Sequence, residues 1–255
     1  MSFLGLDPHN IPLLAASSFA AGAVNSVAGG GSFLSFPALV FTGVPSVMAN
    51  ATNTIALFPS QMTTAWAYRK EFPKLEGLSP RTIVGISIVG GILGSLLLIF
   101  TPEKAFDALV PWLLLLATAL FAFSKRLVPW LKQRYHVGPV ALCSVQFLLA
   151  IYGGYFGGAV GIMMLALFGL FGIDHIHSAN ALKTLLAAMI NSIAVVCFIV
   201  AGAVAWGPAI VMLIAAVAGG YLGARLAQKM PPELVRKAVV LIGVAISVAF
   251  FARMA

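Results

Sequence analysis

One lysine falls inside a long apolar stretch of this sequence, where a charged group requires a partner. Of the 15 lysine and arginine residues, Lys183 is the one that lies within such a stretch rather than in or beside a loop. The stretch contains no acidic residue, and the nearest acid before it is Asp174. A buried ammonium must be paired, neutral or extended to water. Lys183 is therefore predicted to bind an anion, unless its chain reaches the end of the apolar segment.

Amide and hydroxyl side chains surround Lys183 at helical spacing, and an earlier apolar segment carries a similar set. Residues three, four or seven positions apart share one face of a helix. Polar groups on an apolar helix need partners. The partner is either a bound solute or a neighbouring helix, and a hydrogen bond between helices contributes about 0.6–2 kcal/mol. We favour a solute. The predicted binding residues are Asn50, Asn53, Thr54 and Gln61 in the first segment, and Asn180, Lys183, Thr184 and Asn191 in the second.

A glycine tract precedes the first polar face and is flanked by an asparagine and a serine. Consecutive glycines let the backbone leave a helix and let a ligand approach closely. The helix that restarts presents N–H donors and a partial positive charge to anions. Close helix packing is the alternative, and it is what we expect of the glycines within 90–94 and 219–223. The break is predicted to bind solute through Asn25, Gly29, Gly30, Gly31 and Ser32, with Gly161 as a later equivalent.

Other chemistry finds little support. Asp174, His175 and His177 lie close together, but so short a loop is weak evidence for a metal or proton site. The sequence contains no Ser/His/Asp set, P-loop or CxxC pattern. We therefore expect no enzyme activity, no metal and no cofactor. A membrane-embedded enzyme built on this loop remains the less favoured alternative.

The composition is that of a membrane protein. Hydrophobic residues make up 61% of the 255 residues, charged residues only 9%, and the mean hydropathy is +1.03, whereas soluble domains carry about 25% charged residues. Neither residues 11–68 nor 138–173 contain a charged residue or histidine, and about 20 apolar residues suffice to cross a bilayer. The net charge of +8 lies mostly in short loops, as in cytoplasmic membrane loops, so no nucleic-acid partner is expected.

Hydropathy divides the chain into eight segments. Backbone groups in lipid must pair internally, which leaves helices or closed barrels. Barrel strands alternate in polarity, and these apolar runs do not, so the prediction is an all-α polytopic membrane protein. The segments cover roughly residues 11–41, 46–68, 82–100, 105–124, 139–172, 177–204, 208–224 and 238–252.

The sequence also repeats itself. Ala49-Asn50-Ala51 recurs 130 positions later as Ala179-Asn180-Ala181, and the same offset relates Pro102-Glu103 to Pro232-Glu233. We predict two homologous membrane repeats, residues 1–125 and 139–255, joined by a basic cytoplasmic linker, residues 126–138. Transporters often consist of such repeats, with the solute site at their interface.

The loop charges predict that the repeats are inverted. Basic residues cluster within 69–81 in the first repeat, but within 225–237 in the second, after a different helix. Lysine and arginine favour the cytoplasm, so equivalent loops face opposite sides. Inversion requires an odd number of crossings per repeat. Since the first segment of each repeat is just over 30 residues and interrupted by glycine, we predict a re-entrant hairpin followed by three transmembrane helices. Eight crossings in two parallel repeats are the alternative.

The stretch from Gly22 to Thr54 resembles the TauE/SafE family of sulfite exporters. The resemblance rests on the glycine tract, a following proline and the run of residues 49–54, and the second half is similar through Ala179 and Lys183. It covers both repeats. It implies a bacterial inner-membrane carrier of sulfur-containing anions such as sulfite, sulfoacetate or other organosulfonates. The pocket that it implies contains Gly30, Gly31, Asn50, Thr52, Asn53, Lys183 and Thr184.

We therefore expect a multi-pass secondary transporter in the bacterial inner membrane. Its partners would be a small anionic solute, the lipid bilayer and a coupling ion, either a proton or sodium, and the chain would form a homodimer. A transporter or channel for another small anion, such as a carboxylate, is the alternative.

Overall fold

The apolar segments form helices, and the described part of the chain contains no strand. The computed structural model describes residues 7–27, 30–73, 75, 77–173, 175–227 and 232–254. Within these residues lie ten α-helices. They are α1 (Ile11–Val27), α2 (Ser32–Phe41), α3 (Ser46–Ala67), α4 (Pro80–Phe100), α5 (Glu103–Arg134), α6 (Pro139–Tyr155), α7 (Val160–Leu170), α8 (Ile176–Val200), α9 (Trp206–Ala227) and α10 (Pro232–Met254).

Several of these helices suit a bilayer. Among the described residues, Pro80–Phe100, Glu103–Ser124 and His177–Val200 are each long and apolar enough to cross a membrane. Five further apolar stretches, in α2, α6, α7, α9 and α10, are shorter. Large apolar side chains also cover the outside, and Phe100, Val140 and Val200 are about four-fifths exposed. Lipid is the environment in which such a surface is stable, so the chain is a polytopic α-helical membrane protein.

Each of the two longest apolar segments is divided into two helices, as their glycines predicted. The first break separates α1 from α2, where Gly30 has a φ of +89°. The second separates α6 from α7, where Gly157 and Ala159 have φ values of +77° and +58°. These values belong to the left-handed region, which a helix cannot continue through. The chain therefore leaves one helix and starts another within a few residues.

The chain doubles back at both breaks. A Cβ on Gly31 would lie 2.3 Å from the carbonyl oxygen of Ala21, so the start of α2 lies directly against α1. In the second pair, the N–H of Val137 donates a hydrogen bond of 3.0 Å to the carbonyl oxygen of Leu170. The chain consequently enters α6 and leaves α7 at the same end of a helical hairpin.

Close backbone contacts join helices that are distant in sequence. α1 packs along α9, and α6 packs along α4. A Cβ on Gly219 would lie 1.9 Å from the carbonyl oxygen of Phe19, and one on Gly94 would lie 2.0 Å from that of Ile151. These glycines are packing residues, because only a missing side chain allows so close an approach. The hairpins are thereby held against the longer helices.

Helix α5 is longer than the predicted segment. It continues to Arg134, so most of the predicted linker at residues 126–138 is helical, and only 135–138 connect it to α6. The continuation contains Pro129, whose missing N–H removes one helical hydrogen bond. The guanidinium of Arg134 lies over the ring of Trp130, 4.7 Å from its centroid, and this cation–π contact helps to hold the last turn together.

Candidate functional site

Lys183 lies on α8, within the apolar span His177–Val200. It is half-buried, whereas every other lysine and arginine side chain that the structure describes is exposed. Its Nζ donates a hydrogen bond of 2.9 Å to the side-chain oxygen of Asn180, one turn earlier on the same face. Its ammonium therefore has an amide as partner, and no carboxylate among the described residues forms a salt bridge with it.

The start of α7 lies against the Lys183 side chain. A Cβ on Gly161 would lie 3.3 Å from Cδ of Lys183 and 3.9 Å from its Cε. Gly161 stands in the first turn of α7, which begins after the left-handed Ala159. Its N–H has no hydrogen-bond partner among the described residues. Free N–H groups at a helix N-terminus carry partial positive charge.

We call Gly161, Asn180 and Lys183 the Lys183 cluster. Asn180 uses its oxygen to accept from Lys183, which leaves its amide nitrogen as a donor. The cluster therefore offers an ammonium, an amide N–H and a backbone N–H, which are all donors. Such a set suits the oxygens of an anion.

A second polar group lies at the first break. The N–H of Gly31 donates to the side-chain oxygen of Asn25 at 2.8 Å, so this donor is occupied by the protein. Ser35 donates to the side-chain oxygen of Asn53 at 2.5 Å, and both side chains are buried. The N–H of Ser32 has no partner among the described residues. The structure thus gives the Gly31 N–H a partner within the protein, Gly29 lies outside the described residues, and binding of a solute by the glycine tract stays a prediction.

The Lys183 cluster and the polar group at the first break form two distinct sets of hydrogen bonds. No hydrogen bond within the described part of the chain joins the Lys183 cluster to the group formed by Asn25, Gly31, Ser35 and Asn53. Gly30 and Ser32 belong to the first break by sequence. The group at the first break is uncharged, whereas the Lys183 cluster carries an ammonium, so the two differ in their chemistry.

Other predicted binding residues are occupied by structural contacts. The amide nitrogen of Asn50 donates to the carbonyl oxygen of Tyr155 at 2.8 Å, at the end of α6. The hydroxyl of Thr52 accepts from the N–H of Ala205 at 3.0 Å, immediately before α9. Both side chains are buried. They satisfy backbone groups that helix ends leave unpaired, and they tie α3 to the second half of the chain.

The two remaining threonines bond within their own helices. The Thr54 hydroxyl donates to the carbonyl oxygen of Asn50 at 2.9 Å, and that of Thr184 donates to Asn180 at 2.8 Å. Each hydroxyl proton is therefore used locally, as is common for threonine in apolar helices. Gln61 and Asn191 bond to each other, since the amide nitrogen of Asn191 donates to the side-chain oxygen of Gln61. This pair links α3 to α8.

Sequence reasoning missed three polar side chains that form hydrogen bonds in the structure. Ser35 bonds Asn53, and its position one turn after Gly31 was the available signal. The Tyr152 hydroxyl donates to the carbonyl oxygen of Gly158 at 2.8 Å and so spans the second break. Buried Gln146 donates to the Ser87 hydroxyl at 2.9 Å across α6 and α4. Gln146 has no counterpart at the repeat offset, where Ala16 stands, so repeat comparison offered no signal.

The described carboxylates lie elsewhere. Glu103 is half-buried at the start of α5, where it accepts from the N–H of Val47 at 3.0 Å and from the Ser46 hydroxyl at 3.0 Å. It therefore caps the N-terminus of α3, a position where a negative charge is favourable. The carboxylates of Asp7, Glu71 and Asp107 are exposed. Asp174 lies outside the described residues, and the described residues contain no group of three His, Cys, Asp or Glu side chains that could hold a metal ion.

The helical architecture and the donor-rich cluster define a class of protein, a polytopic membrane protein with a candidate site for a small solute. The profile of the family described as "Sulfite exporter TauE/SafE" matches residues 14–250. The chain belongs to this family. It is therefore an integral membrane protein of a transporter family, and the predicted resemblance is confirmed.

Similar proteins carry transporter names. The chain is 28% identical to "Probable membrane transporter protein ORF9" of Sinorhizobium sp over 248 residues, which cover 96% of this chain and 93% of that protein. It is 29% identical to "Probable membrane transporter protein YfcA" of Escherichia coli (strain K12), over 96% of this chain and 91% of that protein. A Haemophilus influenzae protein with the name "Probable membrane transporter protein" is 28% identical. No solved structure matches the chain.

Proposed function

We propose that this protein is a secondary carrier for small sulfur-containing anions, such as sulfite or organosulfonates, in the bacterial inner membrane. The observation that carries the proposal is the Lys183 cluster. Among the lysine and arginine side chains that the structure describes, Lys183 alone is not exposed, and it contacts the start of α7. A sulfonate or sulfite group would accept from the ammonium, the Asn180 amide and the Gly161 N–H. The sulfur chemistry of the cargo is taken from the family name, since the same donors would also bind a carboxylate.

The carrier is further proposed to consist of two inverted repeats. α1 and α6 are equivalent by sequence offset, as are α9 and α4, and the contact of α1 with α9 corresponds to that of α6 with α4. The contact of α3 with α9 corresponds likewise to that of α8 with α4. Gln61 and Asn191 are 130 positions apart and bond to each other, as residues on a two-fold axis between repeats would.

The hairpin ends support the inverted arrangement. The chain enters α6 and leaves α7 at one end, so this hairpin would not cross the membrane. Three crossings by α3, α4 and α5 would then place the hairpins on opposite sides. Under this arrangement the basic stretches within 69–81, 126–138 and 225–237 share one side, which is the cytoplasm by the distribution of lysine and arginine.

Two inverted repeats would provide two unequal halves of a transport path. The group at the first break would contribute neutral amide and hydroxyl side chains, and the Lys183 cluster would contribute the charge. Alternating access would open the solute site to either side of the membrane in turn by moving one repeat against the other. A proton or sodium as coupling ion, and a homodimer, stay predictions.

Anion flux in proteoliposomes tests the proposal. Purified protein is reconstituted, and initial rates of sulfite and methanesulfonate uptake are measured for the native chain and for Lys183→Ala. Lys104→Ala is the matched control, because it removes the same charge from an exposed position at the start of α5. We expect saturable flux that Lys183→Ala reduces at least tenfold and Lys104→Ala leaves unchanged.

Two results would count against the proposal. Equal flux in Lys183→Ala and native protein would remove the Lys183 cluster from the path. Saturable carboxylate flux without sulfonate flux would exclude the sulfur-containing cargo but retain the anion carrier. Lys183→Arg keeps the charge, so partial flux in this variant would separate the role of charge from a general loss of folding.

A further inference from the structure

The Lys183 cluster combines one positive charge with neutral donors. Its partners Asn180 and Gly161 are uncharged. α3, α6 and α7, which pack on α8, contain no charged residue, and the only charged residue of α4 is Arg81, which is exposed at the start of that helix. His175 and His177, at the start of α8, are also exposed.

A site of this kind distinguishes ligands by their charge. Ions lose most of their hydration energy in a low-dielectric interior, and an opposite charge must compensate for this loss. A singly charged anion would make the occupied cluster neutral. A doubly charged anion would leave one negative charge that only neutral donors contact.

We propose that the Lys183 cluster selects singly charged oxyanions over doubly charged ones. This inference rests on the proposed function, because it specifies which anions that carrier takes. For sulfite it means that the transported species is bisulfite, which carries one proton and one negative charge. Methanesulfonate is singly charged throughout the neutral range, and it is therefore a substrate whose charge does not change with pH. Thiosulfate, sulfate and sulfoacetate, which carries both a sulfonate and a carboxylate, are doubly charged there and are excluded. Of the cargoes that the resemblance implies, bisulfite and the singly charged sulfonates remain.

The test is the pH dependence of two fluxes measured side by side. Initial rates of sulfite and methanesulfonate uptake into proteoliposomes are recorded between pH 6 and 8, at low substrate concentration and with equal pH inside and outside. Rates in protein-free liposomes are subtracted. The bisulfite fraction falls about tenfold for each pH unit above the pKa of bisulfite, so the ratio of sulfite to methanesulfonate flux should fall toward that slope. The ratio cancels any effect of pH on the protein, because both substrates use the same site.

Thiosulfate provides the second measurement. At pH 7 we expect thiosulfate uptake to be at least tenfold slower than methanesulfonate uptake. A pH-independent flux ratio, or thiosulfate uptake as fast as that of methanesulfonate, would overturn the inference while leaving the carrier intact. Absence of flux for both sulfite and methanesulfonate would instead contradict the proposed function.

Asp174→Asn checks the charge count. Asp174 is the nearest acidic residue before Lys183 in sequence. If it neutralised Lys183, its removal would raise the charge of the site and admit thiosulfate. We expect the variant to keep the native preference for singly charged anions. A gain of thiosulfate uptake would show that the native cluster does not hold a net positive charge, and it would overturn the inference.

Discussion

Replacement of Gly94 by alanine tests the contact between α4 and α6, which holds the second hairpin in place. A Cβ on Gly94 would lie 2.0 Å from the carbonyl oxygen of Ile151 and 2.9 Å from the N of Tyr155. An ordinary contact between such atoms is about 3.5 Å, so the helices would have to separate by more than about 1 Å. The neighbouring atoms are backbone atoms and cannot rotate away. The variant is therefore expected to be destabilised.

Gly85 provides a matched control on the same helix. A Cβ on Gly85 would have no atom within 4 Å, so alanine adds no clash there. Both substitutions gain the same intrinsic helix preference, about 1 kcal/mol for alanine over glycine. The difference in stability between Gly94→Ala and Gly85→Ala thus isolates the cost of the clash.

The magnitude follows from known costs of overpacking. Inserting a methyl group into a packed interior costs about 1–3 kcal/mol. A change of 1 kcal/mol shifts the melting temperature of a chain of this size by about 2–4 °C. We expect Gly94→Ala to melt several degrees below Gly85→Ala when the melting of detergent-solubilised protein is followed by loss of the monodisperse peak in size-exclusion chromatography.

If Gly94→Ala melted at as high a temperature as Gly85→Ala, the α4–α6 contact would not be as close as the structure places it. The placement of the second hairpin, and with it the position of Gly161 beside Lys183, would then lose its support.

Two further predictions concern the polar contacts and the hairpins. Thr52→Val should lower the free energy of unfolding by about 1 kcal/mol, because a helix-capping oxygen is lost. Thr52→Ser keeps the hydroxyl and should retain most of the native stability. Equal melting temperatures for the two variants would argue against the cap. In a background without native cysteines, single cysteines at Gly138 and His175 should be labelled from one side of the membrane by an impermeant thiol reagent, and those at Pro8 and Pro45 from the other. Labelling of Pro8 and Pro45 from opposite sides would contradict a re-entrant first hairpin.

The fold class followed directly from the sequence. Long runs without charge exclude a soluble domain, and lipid leaves the backbone few alternatives to the helix. The glycines at residues 29–31 and 157–161 marked both helix breaks for the same reason, since glycine weakens a helix wherever it occurs in series. The end of α5 was not predicted, because residues 126–134 mix apolar side chains with Arg126, Lys132 and Arg134 and contain Pro129, which disfavours a helix.

The chemical role of individual polar residues could not be predicted in the same way. Asn50 and Asn53 lie one turn apart on α3, yet one donates to the end of α6 and the other accepts from Ser35. Thr52 was assigned to the pocket by resemblance, but its hydroxyl accepts from the start of α9. The spacing of residues along one helix predicts which side chains share a face. It does not predict which other helix end packs against that face.

The sequence by itself determined the membrane class, the helical segments, the two breaks and the unusual position of Lys183, because these depend on the hydrophobicity and backbone preference of neighbouring residues. Only the tertiary structure decided which donors remain for a solute. That choice depends on contacts between residues more than 20 positions apart, such as Gly161 against Lys183 and Tyr155 against Asn50. The first contact exists because the hairpin of α6 and α7 packs on α8, and the second because α3 packs against the end of α6.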